Sequence, residues 1–214
     1  MARQSFSEQE VEQRRSGILE AAMTLFESGG LEAVSFRKVA AVLGCSYAAP
    51  YRYFPGKDAL LVAMRAQAFR WMEREMLASI RPQDPPRQRL RSLAEAFIRA
   101  GVGRPQRYAL MFFGLTEGAG GPRSLELAAA KRDALDVCTR TVAAAQAAGE
   151  LKLAVDPLTA SHLFWAGAHG LVSLEVAGQL VMGRSLDELV PPMVRTLMQG
   201  LEDPQGLLLR QGRS

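Results

Sequence analysis

At 214 residues, with 48% apolar residues and a formal net charge of +4, the chain holds enough apolar material for one large core or two modest domains. Its two cysteines, Cys45 and Cys138, have no metal-ligand spacing and no leader segment precedes them, which excludes a disulfide scaffold and points to a reducing cytoplasm. No nucleophile paired with a base, no metal cluster and no phosphate loop is legible, so no catalytic residue, bound metal or cofactor is expected and an enzyme is disfavoured.

Ser7 to Glu10 reads as a capping box, and Val11, Ile18, Ala22, Leu25 and Phe26 follow at helical period, so a first helix buries one face. Ser35 caps a second helix through Leu43, and Gly44 ends it because glycine tolerates the left-handed conformation that stops a helix. Cys45, in the turn, is expected as a small buried hydrophobe. Ser46 then offers the cap for a third helix running to about Tyr53, which makes the segment a helix-turn-helix. Pro50, at the fourth helical position, removes the amide that would bond to the Ser46 carbonyl, so a tight or distorted first turn is expected. Phe54-Pro55-Gly56 breaks the chain, and Phe54 is expected in the core.

Asp58 to Ile80 reads as a long helix with Leu61, Met64, Ala68, Trp71, Met72 and Met76 inward. Pro82, Pro85 and Pro86 stop it, and helices follow over Arg87–Val102, with Leu90, Leu93, Ala94, Phe97 and Ile98 on the buried face, and over Gln106–Leu115. The glycine-rich stretch Glu117–Arg123 is expected as a flexible loop, ahead of an alanine-rich helix from Leu125 to Ala148. Asp156-Pro157 opens the most apolar helix of the chain, extending to Val181. About 20 apolar residues suffice to cross a bilayer, but His162, His169, Glu175 and Gln179 favour a core or subunit interface over a membrane span. Leu186–Leu201 is the last helix, with Pro191 and Pro192 in its first turns, and the tail from 203 to 214 is expected to fray. No segment alternates as a strand does, so the fold class is all-α.

The charge distribution singles out the helix-turn-helix. From Ala33 to Lys57 there are Arg37, Lys38, Arg52 and Lys57 and no acid, whereas residues 1 to 58 as a whole are neutral. Cations grouped on one edge suit phosphate neutralisation in duplex DNA. With Ser46 as cap, Tyr47, Ala48 and Ala49 lead into the major groove, where a phenol donates or accepts and alanine methyls meet thymine methyls. Arg37 reaches either a guanine edge or a phosphate.

These residues carry a resemblance. Ile18, Ala21, Ala22, Leu25, Phe26, Ser35, Val39, Ala40, Leu43, Gly44, Ser46, Tyr51, Phe54, Lys57 and Leu60 together resemble the amino-terminal domain of TetR-family transcriptional regulators. Trp165-Ala-Gly-Ala-His169-Gly170 resembles the signature of the subgroup with a WHG-type carboxy-terminal domain, as do Ala48 to Arg52 and Tyr108 to Phe112. The resemblance implies that Tyr51 and Tyr53 reach phosphate, that Lys57 neutralises it at the start of the next helix and that Ser35 hydrogen-bonds it; packing into the small domain's core is the other reading of Tyr51. It also implies a DNA-binding domain over 1–58, a ligand-binding and dimerisation domain over 59–202, and a frayed tail over 203–214.

On the helix after Pro157, His162, Trp165, His169 and Ser173 recur at steps of three or four, so one stripe carries the polar atoms. This stripe either lines a pocket opposite Trp71, Phe97, Tyr108, Met111 and Phe112 or consists of satisfied core groups. Gly170 offers a point where another helix can approach closely. The expected protein is a cytoplasmic homodimer that binds a pseudopalindromic operator in double-stranded DNA and is released by a small apolar effector. An activator using the same domain, and a helical ligand-binding protein or enzyme without a DNA role, are the alternatives.

Overall fold

The computed structural model describes residues 7–112 and 122–202. They form eight α-helices, α1 (Glu8–Ala33), α2 (Phe36–Val42), α3 (Lys57–Ser79), α4 (Pro86–Gly103), α5 (Pro105–Phe112), α6 (Pro122–Ala147), α7 (Pro157–Val176) and α8 (Leu186–Glu202), with a 3-10 turn over Pro50–Arg52. No strand occurs among the described residues, and the fold is all-α. Most of the expected glycine-rich loop, the end of the helix expected to reach Leu115, and the tail from 203 lie outside the described residues, while Pro122 and Arg123 begin α6.

The chain divides into two compact units, one of residues 1–69 and 106–130 and one of 70–105 and 131–214. In the first, the capping box of α1 is formed as expected: the Glu10 amide donates to the Ser7 hydroxyl at 3.2 Å and the Ser7 amide to the Glu10 carboxylate at 2.8 Å. That pairing holds the Glu10 carboxyl below its usual pKa, the amide of Ser7 contributing most. Ile18, Ala22 and Phe26 are buried, but Val11 is 40% exposed, because α1 begins about two turns before its packed portion. Arg15 reaches Glu126 at 2.8 Å and Arg107 reaches Glu27 at 2.7 Å, tying α1 to α6 and α5 within this unit. Phe54 is fully buried, as expected, with the Arg15 guanidinium 5.3 Å above its ring.

In the second unit α4 packs on α7 and α8, and α7 on α8. All five inward positions expected on α4 are buried, and so are all six on α3, which begins in one unit and ends in the other. The Asp156 carboxylate caps α7 by accepting from the amides of Leu158 and Thr159, both at 3.0 Å. A side chain at Gly167 would meet Leu197 at 3.0 Å and Met193 at 3.1 Å, so this glycine sets the close approach of α7 and α8, whereas Gly170 has open space beside it. Ser185 and Glu188 form a second capping box at the start of α8.

Three helices end in the same way. At α2 the amide of Gly44 donates to Ala41 and that of Cys45 to Ala40; at α6 Gly149 donates to Gln146 and Glu150 to Ala145; at α7 Gly178 donates to Glu175 and Gln179 to Leu174. Each is a Schellman closure with a glycine at positive φ, 62° at Gly44, 71° at Gly149 and 64° at Gly178. The closure at Gly178 ends α7 five residues before Val181, where apolar composition alone had carried it.

Candidate nucleic-acid interface and ligand residues

Gly44 turns the chain out of α2 and leaves Cys45 exposed, not buried as expected, because the closure uses the backbone of Cys45 and faces its thiol to solvent. The segment after it also departs from expectation. Ser46 does not cap an α-helix; its carbonyl accepts from the Ala49 amide at 2.9 Å, Tyr47 to Ala49 form a turn, and only Pro50–Arg52 close a 3-10 turn. The missing amide of Pro50 is the reason: the first bond of an α-helix from Ser46 would run from residue 50. The distortion expected of the first turn extends to the whole element.

The turn nevertheless keeps Tyr47 and Ala48, two of the three expected base readers, on the surface. Tyr47 is 56% and Tyr51 44% exposed. Arg37, Lys38, Ser46, Ala48, Arg52 and Lys57 are exposed as well, while Ser35, Ala49 and Tyr53 are half-buried. Ser35 caps α2 by accepting from the Lys38 amide at 3.3 Å. The Lys57 ammonium donates to the Leu31 carbonyl at 3.2 Å and that of Lys38 to the Glu32 carbonyl at 3.4 Å, so the carbonyl end of α1 holds two of the four cations. The Tyr51 ring rests 4.3 Å from the buried ring of Phe36 while its hydroxyl stays outside, 2.8 Å from that of Tyr47. Phe36 escaped the sequence reading because its partner lies fifteen residues away across a turn; no periodicity signals that contact.

The seven expected effector residues divide between the units. Tyr108, Met111 and Phe112 belong to the first, where Tyr108 is fully buried and its ring centre lies 4.9 Å from that of Phe112. Trp71, Phe97, Trp165 and His169 belong to the second. There Trp71 and Phe97 are buried, and the half-buried rings of Trp165 and His169 stand 5.7 Å apart, with Ser173 3.4 Å from the imidazole. His162 is exposed and its Nδ1 lies 2.8 Å from the Leu158 carbonyl. Burial lowers the pKa of His169 below the ordinary imidazole value. A cleft of about 620 Å3 lies between α4 and α8, lined by Ile98, Val102, Leu186, Val190 and Pro191 with Glu95, Arg99 and Asp187. None of its residues is among the seven expected to meet an effector. Among the described residues no cluster of side chains suits a metal ion, and no helix is long and apolar enough to cross a membrane.

A helix and a 3-10 turn with an acid-free cationic edge, followed among the described residues by α-helices and their connections, define the class. The family model for bacterial regulatory proteins of the tetR family matches residues 18–64, and that for the tetracyclin repressor-like C-terminal domain matches residues 90–197, half of the chain. The chain belongs to the TetR family of transcriptional regulators and is a regulator, not an enzyme. The HTH-type transcriptional repressor KstR of Rhodococcus jostii (strain RHA1) is 44% identical over 57 residues, and the chain spans only 27% of the length of that curated relative. A protein of unknown function from Rhodococcus sp. RHA1 is similar in structure, with a TM-score of 0.75 and 26% identity over 88% of this chain and 95% of that one. The regulator FadR from Bacillus subtilis, solved in complex with stearoyl-CoA, shares the fold with a TM-score of 0.65 at 15% identity, covering 88% and 98% of the two chains.

Proposed function

We propose that this regulator is a repressor that binds a pseudopalindromic operator as a homodimer and leaves it when a small apolar effector binds. The observation that carries the reading is the edge formed by Arg37, Lys38, Tyr47, Tyr51, Arg52 and Lys57, exposed and without an acid from Ala33 to Lys57. One short turn touches few bases, so discrimination requires two copies related by a dyad, about 34 Å apart on the duplex. Residues 1–58 read DNA, and 59–202 supply the dimer contact and the effector site. The repressor KstR, similar over a quarter of its length, and FadR with its bound stearoyl-CoA support repression and an apolar effector by likeness.

The effector acts through whatever affinity difference it has for the DNA-competent and DNA-incompetent states. In this reading it lies beside the expected residues of the second unit, Trp71, Phe97, Trp165 and His169, and α3, which carries Trp71 and starts at Lys57, transmits its presence to the reader. The test is a screen of apolar compounds, by thermal shift and by release of a library-selected duplex, on wild type and His169→Phe. A compound that stabilises wild type and releases DNA, with a changed response in a folded His169→Phe, supports the reading; absence of any stabilising apolar compound, or simple unfolding of the variant, returns the Trp165 and His169 stripe to a structural role.

A further inference from the structure

Tyr47 and Tyr51 form a hydrogen-bonded pair at the outer edge of the reader, with oxygens 2.8 Å apart and rings meeting edge to face at 5.4 Å. The two phenols are held differently. Tyr51 is anchored from beneath, its ring 4.3 Å from Phe36, the buried first residue of α2. Tyr47 stands further out, and among the described residues its hydroxyl makes no hydrogen bond except the one to Tyr51. The backbone that presents them is a turn and a single 3-10 turn, so the orientation of Tyr47 depends on this side-chain bond more than it would on a regular helix.

A phenol carries one proton. In such a pair one hydroxyl gives its proton to the other oxygen, and only one proton is left for anything outside. Hydrogen bonding to Tyr47, with a smaller contribution from burial, raises the pKa of Tyr51 above the usual phenol value. Tyr47 is the more exposed of the two, so a proton left on Tyr47 is the one that can reach a base.

We propose that Tyr51 is a positioning residue that donates to the Tyr47 oxygen and thereby fixes Tyr47 as a hydrogen-bond donor to one base edge in the major groove. Tyr47 then selects an acceptor (purine N7, guanine O6 or thymine O4) over the amino group of cytosine. This rests on the DNA-reading role of the edge proposed above. It departs from the family resemblance, which sends Tyr51 to phosphate: a hydroxyl that already donates to Tyr47 has no proton left for a phosphate oxygen, which only accepts.

The experiment is binding-site selection from a randomised duplex library by the full-length protein, with Tyr47→Phe, Tyr51→Phe and the double variant, followed by affinity measurements on the selected duplex and its single-base variants. Each substitution keeps the ring, and so the contact with Phe36; circular dichroism melting verifies the fold. Wild type is expected to require an acceptor at one base-pair position. Tyr47→Phe loses about three- to tenfold of that preference, the usual worth of one hydrogen bond. Tyr51→Phe alters the preference at the same position, because a released Tyr47 hydroxyl accepts as readily as it donates, and the double variant behaves as Tyr47→Phe alone. If Tyr51→Phe instead weakens binding equally on every sequence and adds to the effect of Tyr47→Phe, Tyr51 is a phosphate contact and the proposal is wrong. A wild-type protein that selects no sequence at all removes the DNA-reading role, a failure distinguishable from that of the pair.

Discussion

Arg37 and Lys57 lie on one edge, but their surroundings prepare them differently for DNA. Arg37 makes no hydrogen bond or ion pair among the described residues and is free to swing, whereas Lys57 is tethered to the carbonyl end of α1. Replacing Lys57 by Ala should weaken binding to all duplexes alike and lower the slope of log affinity against log salt by about one unit, read by fluorescence anisotropy across a salt series. Arg37→Ala either does the same, which makes it a phosphate contact, or relaxes one base position, which makes it a reader. At His169 the imidazole has a folded pKa below that of the unfolded chain. As pH falls through the ordinary imidazole range the unfolded chain takes up the proton first, so stability falls with it and rises again with pH. Urea unfolding at about pH 7.5 and about pH 5.5 should show that loss in wild type and a smaller one in His169→Gln.

At the scale of elements, glycine closures and caps fix where helices stop. Gly44 at φ 62° carries the closure of α2, and Gly44→Val forces a branched side chain into the left-handed region at a cost of about 1–2 kcal/mol, to be measured by denaturant unfolding. The effect on DNA binding should exceed this, since the same residue aims the turn that carries Tyr47. The inward faces of α3 and α4 were legible in the sequence because every third or fourth residue from Leu61 to Met76 and from Leu90 to Ile98 is apolar, and that periodicity is what packing against neighbours requires. The cap of α7 was legible because Asp156 and Pro157 act on their own backbone neighbours. After Ser46 the proline was expected only to distort the first turn of a helix, whereas the bond it removes is the one that would start that helix, and a single 3-10 turn remains. Cys45 and Val11 show the same limit: composition says what a residue tolerates, and only the path of the chain says what stands beside it. The divided effector residues and the cleft between α4 and α8 had no signal in one sequence, since both depend on which helices come together.

For the whole molecule, the face of α7 that carries Leu163, Ala166, Gly170 and Leu174 recurs at steps of three or four and is exposed or half-exposed, with Leu163 at 37% and Leu174 at 43%. In the proposed dimer this face meets its symmetry mate. Leu174→Glu, or Val176→Glu if the face is rotated, should leave the single chain folded yet split the dimer by burying an unpaired charge, at a cost of several kcal/mol, visible by sedimentation. An unchanged dimer in both variants moves the interface elsewhere.

The connection between α7 and α8 is bracketed by Gly178 and Gly183, both at positive φ, and between them Val181 is 78% and Met182 93% exposed. Apart from Met193, which is half-buried, the other described methionines are 8% exposed or less. A thioether in open solvent is the first to be converted to the sulfoxide by peroxide, while those in the core are shielded until the fold opens. Met182 is thus a built-in chemical footprint. Brief peroxide treatment followed by peptide mass spectrometry should mark it first in the dilute single chain, and a slower conversion at high protein concentration, with no mutation made, would place this connection under a second copy.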